Sequence, residues 1–516
     1  MSRTPGRGAD EHAIVVDLGF GDAGKGVTVD LLCARRRYGA VVRANGGAQA
    51  AHNVVAPDGR HHTFAQFGSG TLAPGGPVPT HLSRFAVVDP FALAAEARHL
   101  SELGVPDPFA LVTVDRRALI STPWHQAANR ARELARGADR HGSCGMGVGE
   151  TMAYALAHPE DAPTAGDCAH PARLRRKLRR LAEHLRHLTD QVSPAADRPP
   201  HVPNTRSAPA ERSRDRTAPA ERSHDTAVGP PPDMEECVAA YAAFAQRVRL
   251  VDEDHLAHLL ASAPVVFEGA QGVLLDEWYG FHPFTTWSTT TTANPLALLA
   301  EAGRPGQARR IGVVRTYTTR HGEGPLVTED PALGAVLPEP HNGTHPWQGP
   351  FRVGHLDLVA HRYALAATGG VDSLVVTHTD AFDRARPSGG VGPSSRVGAA
   401  DAPEGAEAAE ASHRPLWCTG YTNPDGSALR LAPAAAPDLE RQERLTRALL
   451  AARPVLAPIP DEDLAGTVGR ALGLPLEAEF GGPTRAHARV SGSRGPGFRP
   501  GPLRRRVTTG ARTRPN

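Results

Sequence analysis

The sequence contains no run of about 18 apolar residues, so it offers no candidate transmembrane helix. Its opening residues, SRTPGRGADEH, hold no apolar signal core, and with both features missing the protein is expected in the cytoplasm, away from membranes. Cysteine is scarce. Five residues (Cys33, Cys144, Cys168, Cys237 and Cys418) are scattered, odd in number and without a C-x-x-C pair. They supply neither a disulfide frame nor a zinc site, and they suit a reducing compartment. An excess of one charge is missing too, since 57 Lys and Arg face 55 Asp and Glu. That balance argues against wholesale nucleic-acid binding.

With 516 residues, 40% of them hydrophobic, the chain is large enough for one big α/β domain or two ordinary ones. From Ile14 to about Leu188, apolar β-branched runs alternate with helical spacing, as in Phe85 to Val88, Phe91 to Leu100 and Leu111 to Val114. Such alternation predicts a large central, mostly parallel sheet with helices on both faces. Residues 191 to 232 depart from it, collapsing into Pro, Arg, Ser, Ala and Asp with the near-duplicates SAPAERSRD and TAPAERSHD. That composition cannot bury enough apolar area to offset ordering entropy, so a disordered insertion is expected. Residues 1 to 11 read as a disordered lead, 386 to 413 as a loop insertion and 486 to 516 as a disordered basic tail. A single domain is expected from residues 12 to 190 and 233 to 485.

The stretch Ile14 to Asp30, IVVDLGFGDAGKGVTVD, reads as strand, glycine loop, helix. Gly19, Gly24 and Lys25 fit G-x-x-x-x-G-K, in which backbone N–H groups approach phosphate oxygens and the lysine supplies a point charge. Gly26 stands where that motif wants Ser or Thr, and Asp22 is the natural substitute as a Mg²⁺ ligand. Without a ligand, the same loop is a tight strand-to-helix turn. His52 follows a second strand-like run, Ala40 to Val42, within RANGGAQAAHNVV.

Further along, GSCGMGVGE (Gly142 to Glu150) is a flexible turn or a phosphate-contacting loop. Arg173 to Leu188 sets five leucines on one stripe among basic residues, either a packed helix with a solvated face or an anion-binding surface. The strand Pro264 to Glu268 delivers Gln271 at its end, and Thr289 to Thr292 form either a hydroxyl-lined rim or a β-prone loop.

Six motifs in chain order, GDAGKG, GGAQAAH, FEGAQGVLLD, TYTTRHGEGPLVTE, THTD and FGGPTR, resemble those of the adenylosuccinate synthetase family, which carries GDEGKGK and GGHNAGH at the first two. The resemblance implies a P-loop-like GTP-binding ligase fold and a cytoplasmic homodimer in purine biosynthesis. Its reaction joins inosine monophosphate (IMP) to aspartate with GTP and Mg²⁺, through 6-phosphoryl-IMP, giving adenylosuccinate, GDP and phosphate. Carried onto this chain, Asp22 is general base and Mg²⁺ ligand, His52 general acid, and Lys25 a catalytic cation. GTP falls to Gly21, Asp22, Ala23, Gly24, Lys25, Gly26, Val27, Ala51, His52 and Asn53, and beyond them to Arg320, His378, Asp380, Gly481 and Gly482. In this scheme Asp380 accepts two N–H donors from guanine, and the Ala51 carbonyl is the second Mg²⁺ ligand. Gln49, Ala50, Ser143, Cys144, Gln271 and Thr286 are implied for the IMP-like nucleotide, and Arg352 for the amine.

The departures bear on the amine. The family's loop TTGRRRRTGWLD is matched here by PWQGPFRVGHLD, Pro346 to Asp357, in which Arg352 alone survives. Losing bidentate arginine forks removes the expected aspartate site. Met146 replaces the arginine of the monophosphate loop, and no arginine lies between Ala155 and Ala165, where the family reaches across its dimer. The expectation is a divergent synthetase that activates a purine nucleotide and takes an amino acid or other amine into a more apolar pocket around Trp347, Pro350 and Phe351. Two other readings stand beside it: an inactive nucleotide-binding paralogue, which needs neither Asp22 nor His52, and nucleic-acid binding through the Arg173 helix and the tail.

Overall fold

Ten strands form one central sheet, its inner members drawn from apolar, β-branched segments. In chain order they are β1 (His12–Asp17), β2 (Ala40–Arg43), β3 (Thr80–Leu82), β4 (Val112–Asp115), β5 (Arg249–Val251), β6 (Val265–Glu268), β7 (Ala308–Arg315), β8 (Ser373–Thr377), β9 (Leu476–Phe480) and β10 (Ala488–Val490). This computed structural model describes residues 11–190, 232–384 and 415–491 except Pro338, Pro340, His341 and Glu462. The expected insertions, and all but the ends of the expected lead and tail, lie outside the described residues.

Across the sheet the order is β10-β9-β8-β7-β1-β6-β2-β3-β4-β5. Every pairing is parallel except β9 with β10. The strand β10 corrects the expected boundary at Arg485, because the chain turns at Arg485–His487 and adds this last strand before the tail.

Strand β1 is central and buried along its whole length, as parallel strands covered on both faces must be. Its Ala13 and Val15 pack with Leu31 and Leu32 of helix α1 (Lys25–Arg35), while Ile14 faces Leu256, Leu260 and Leu298 on the other side. Parallel pairing brings the carboxyl ends of β1, β6, β2, β7 and β8 to one edge of the sheet, and β9 ends beside them. Among the strand pairs off this sheet, two border the glycine loop's edge: His52–Val55 with His61–Phe64, and Thr318–His321 with Phe351–Gly354, where Arg320 stands opposite Arg352.

The basic helix Pro171–Asp190 is a packed helix. Leu174, Leu178, Leu181 and Leu185 are buried, and Arg173, Lys177, Arg175 and Arg180 pair with Asp167, Asp167, Glu235 and Asp161. No helix among the described residues is long and apolar enough to cross a membrane.

Burial sets a pH dependence of stability. It pushes His12, His52 and His81 down to about 4 and His125 to about 3, and raises Asp30 and Asp357 to about 6. An unfolded histidine gains its proton near 6.5 while these stay neutral when folded, so they remove stability as pH falls from 6.5 towards 4. The two aspartates act oppositely, stabilising below their unfolded value and losing that contribution as pH rises through about 6. With four groups against two, the unfolding free energy is expected to fall on acidification from about pH 7 to about pH 5. The slope is about 1.4 kcal/mol per pH unit for each proton in net excess. Urea midpoints at the two pH values measure it, and a higher midpoint at the acid end contradicts it.

Candidate functional site

Strand β1 ends at Asp17, and the chain reaches Lys25, the first residue of α1, through a loop that wraps the Asp17 side chain. That carboxylate is fully buried. It accepts N–H bonds from Gly19 (2.9 Å), Gly21 (3.4 Å) and Ala23 (2.9 Å), and its Oδ2 lies 3.0 Å from Lys25 Nζ. The amides of Gly21 and Ala23 and the Lys25 ammonium, assigned from sequence to GTP, are therefore turned inward onto a protein carboxylate. The amides of Gly26 and Val27 remain in the first turn of α1, where N–H groups have no intrahelical acceptor. Gly24 takes φ 99°, and a Cβ there would stand 2.8 Å from Thr377 Cγ2 at the end of β8.

Asp22 occupies the left-handed region with φ 58°, a conformation that a non-glycine residue holds only when its surroundings impose it. Arg315 Nη1 donates to its carbonyl at 3.3 Å, and its carboxylate lies 3.4 Å from His321 Nε2. The His321 ring packs edge-on against Phe351 at 4.6 Å, which connects the glycine loop to the expected amine pocket.

His52 lies against the first turn of α1, so that a Cβ on Gly26 would come 3.0 Å from its own. Asp22 and His52 thus border the same helix start. His52 Nδ1 is 2.7 Å from Glu268 Oε1 at the end of β6, and Ser69 N donates to Glu268 Oε2 at 3.0 Å. Burial works against the Glu268 charge, but Arg43 at 3.5 Å, with His52 and Ser69, holds the carboxyl down to about 2. The imidazole is neutral, pushed below its usual value by burial against the pull of Glu268. With Nδ1–H donated to the carboxylate, Nε2 is a buried lone pair without a hydrogen-bond partner. Glu268 escaped the sequence reading although it sits in FEGAQG, where a carboxylate closing an apolar strand was the available signal.

Other polar atoms at this edge are also buried and unpartnered: Gln271 Oε1, both amide atoms of Gln49, and Asp380 Oδ1. Gln271 takes φ 57° and His378 φ 58°. Asp380 Oδ2 pairs with Arg384 Nε at 3.0 Å, and the His378 ring stands edge-on to Tyr317 at 5.7 Å. Thr379 N donates to Phe480 O at 3.0 Å, bringing Gly481 and Gly482 beside this turn. Ala50 closes a turn onto Gly47 O, and Ala51 is exposed next to His52. The Asn53 carboxamide accepts from Thr63 Oγ1 (2.6 Å) and pairs with His61 Nε2, so it is committed within its hairpin. Ser143 Oγ donates to Asn129 Oδ1 at 2.9 Å, burial raises the Cys144 thiol, and Thr286 N donates to Leu275 O. The threonine run is a packed loop: Thr289 Oγ1 reaches Glu277, Thr290 Oγ1 the Gly272 carbonyl, and Thr292 Oγ1 the Thr368 carbonyl.

Two arginines assigned to ligands by the resemblance are held by protein carbonyls. Arg320 is buried over the Phe20 ring and donates to the carbonyls of Glu323, Pro325 and Phe284 at 2.8, 3.2 and 3.0 Å. Burial, with Arg352 nearby, lowers it to about 9. It clamps the turn after its strand. Arg352 Nη1 donates to Gly322 O (2.9 Å) and Gly324 O (2.8 Å), and its Nε lies 3.0 Å from Glu329. Its charge is already neutralised, so it offers no open fork to an amine's carboxylate. Trp347 is buried beside Gly145, with Arg130 stacked 5.8 Å from its ring and its Nε1 unpartnered.

Close backbone approach fixes the loop. A Cβ on Gly272 would stand 2.2 Å from Gly19 O and 2.3 Å from Gly21 N. Gly272→Ala is expected to cost about 1–3 kcal/mol of stability through overpacking and to weaken nucleotide binding. A urea titration and a GTP-binding isotherm check it, and an unchanged isotherm contradicts it.

A family model described as adenylosuccinate synthetase matches residues 14–387. The adenylosuccinate synthetase of Symbiobacterium thermophilum is 29% identical over 436 residues, 83% of this chain and 85% of that protein. That of Synechocystis sp. is 31% identical over 382 residues, 72% of this chain and 75% of its own. Among solved structures, the fully ligated adenylosuccinate synthetase of Plasmodium falciparum superposes with a TM-score of 0.67 at 18% identity, covering 93% of this chain and 99% of that one. The succinoaminodeoxyadenylate synthetase of cyanophage S-2L, bound to dGMP and dATP, gives a TM-score of 0.50 at 17% identity over 94% and 96%. At such identities the structural likeness shows the fold alone. The family model and the sequence relatives show more: this chain belongs to the adenylosuccinate synthetase family.

Proposed function

We propose that this ligase uses GTP to phosphorylate the 6-oxygen of an IMP-like purine nucleotide and then joins an amine to C6. The observation that supports it best is the set of buried, unpartnered polar atoms at one sheet edge: His52 Nε2, Gln271 Oε1, the Gln49 amide and Asp380 Oδ1. Each such atom costs about 1–3 kcal/mol unless a ligand pairs with it.

In this reading Asp22 takes the N1 proton of the purine. The 6-oxygen attacks the γ-phosphorus, the bond to the β,γ-bridging oxygen breaks, and GDP leaves. The amine nitrogen then attacks C6, the C6–O bond breaks, phosphate departs and the amine gives up a proton. Lys25 and the α1 amides hold the triphosphate, so that positioning and electrostatics carry the catalysis. His52 is neutral by itself, and an approaching phosphate favours its charged form, which then donates from Nε2 to the developing oxyanion. Asp380 Oδ1 accepts N–H donors of guanine, a pattern adenine does not offer. Gln49, Gln271 and Ser143 face the monophosphate substrate. Asp22 and the Ala51 carbonyl would hold Mg²⁺ together with phosphate oxygens, since a hard cation takes oxygen ligands and draws few of them from protein in such sites. The ion supplies charge neutralisation of the phosphates.

The amine is proposed to lack aspartate's pair of carboxylates. Arg352 is the one arginine of the loop Pro346 to Asp357, and Glu329 already pairs with it. Pro350 and Phe351 offer apolar surface instead, with Trp347 buried in the same loop. A cytoplasmic homodimer completes the proposal.

Phosphate release from GTP in the presence of IMP and Mg²⁺ tests activation. Asp22→Asn is expected to slow it about 10²–10⁴-fold, as loss of a general base does. Wild-type protein that releases no phosphate contradicts the activation step. Mass analysis of products formed from a mixture of amino acids and simple amines tests the acceptor, and adenylosuccinate as the dominant product overturns the acceptor assignment.

A further inference from the structure

The functional reading leaves Asp17 without a role, yet this is the group the glycine loop is wound around. Its carboxylate takes Gly19 N and Gly21 N on Oδ1, and Ala23 N and Lys25 Nζ on Oδ2. Converging backbone N–H groups with an adjacent ammonium make an anion-binding concavity. Here the anion is part of the chain, buried and hydrogen-bonded to donors that a phosphate needs.

We propose that Asp17 is a positioning residue that sets nucleotide affinity: it holds the loop in its anion-binding shape and must hand Lys25 over to the incoming triphosphate. The inference rests on the reading that this loop takes phosphate. One carboxylate carries a single negative charge, whereas a triphosphate brings several, so the exchange favours the nucleotide over weaker anions. The carboxylate makes each exchange less favourable by its own charge, since binding places phosphate beside it. Asp17 therefore weakens ground-state binding while keeping Lys25 paired in its burial.

Asp17→Asn separates this from a purely structural role. Asparagine retains Oδ1 as acceptor for Gly19 and Gly21. It places an N–H₂ opposite Ala23 N and Lys25 Nζ, releasing both donors. The full-length variant is expected to bind Mg²⁺·GTP about tenfold more tightly than wild type by calorimetry, with a correspondingly lower KM for GTP. If Asp17 only braces the loop, the variant binds more weakly or equally, and that result overturns the proposal. Wild-type binding of Mg²⁺·GTP reports on the functional reading, and the ratio between the two proteins reports on Asp17. Absence of binding by both overturns both. Should the variant fail to fold, a crystal structure of wild-type protein with Mg²⁺ and a non-hydrolysable GTP analogue decides. Lys25 Nζ is expected on a phosphate oxygen, and its retention 3.0 Å from Asp17 overturns the exchange.

Discussion

Two carboxylates, Asp17 and Glu268, are buried at the ends of the neighbouring strands β1 and β6, and both require partners. A charge taken from water costs several kcal/mol unless it is paired and hydrogen-bonded. The site is arranged by how those demands are met. Asp17 gathers three loop amides and Lys25. Glu268 gathers Ser69, Arg43 and His52. The first set gives the glycine loop its curvature; the second fixes the tautomer of an imidazole whose residue lies against the start of α1.

From those anchors the rest of the edge follows. The loop that encloses Asp17 throws Asp22 into a left-handed conformation, and Arg315 and His321 hold it there. His321 in turn packs on Phe351, so the glycine loop and the segment Pro346 to Asp357 are mechanically connected. That segment differs from the family's pattern, and the difference lies in the charge its arginine leaves available. Arg352 is wedged between two carbonyls and Glu329. A guanidinium so engaged is a strut.

The sequence was most readable where the signal is local. Strand, glycine turn and helix followed from Ile14 to Asp30 because glycine spacing and apolar periodicity are properties of adjacent residues. The parallel sheet followed from the alternation of runs, and the leucine stripe of the Arg173 helix did pack. Arg320 was harder. Beside glycines in TRHGEGP it looks like a phosphate clamp, yet each of its three nitrogens donates to a protein carbonyl, one of them on Phe284. Nothing in the motif names Phe284.

By itself, then, the sequence determined the strand, glycine loop and helix at its start, the mostly parallel sheet and the family to which the chain belongs. Tertiary structure decided which polar atoms are open at the sheet's edge and which are already satisfied. The physical reason is that a side chain's chemistry depends on burial and on its hydrogen-bond partners. Those partners, Glu268 for His52 and Thr377 for Ala23, lie hundreds of residues away along the chain and meet only when the parallel strands align.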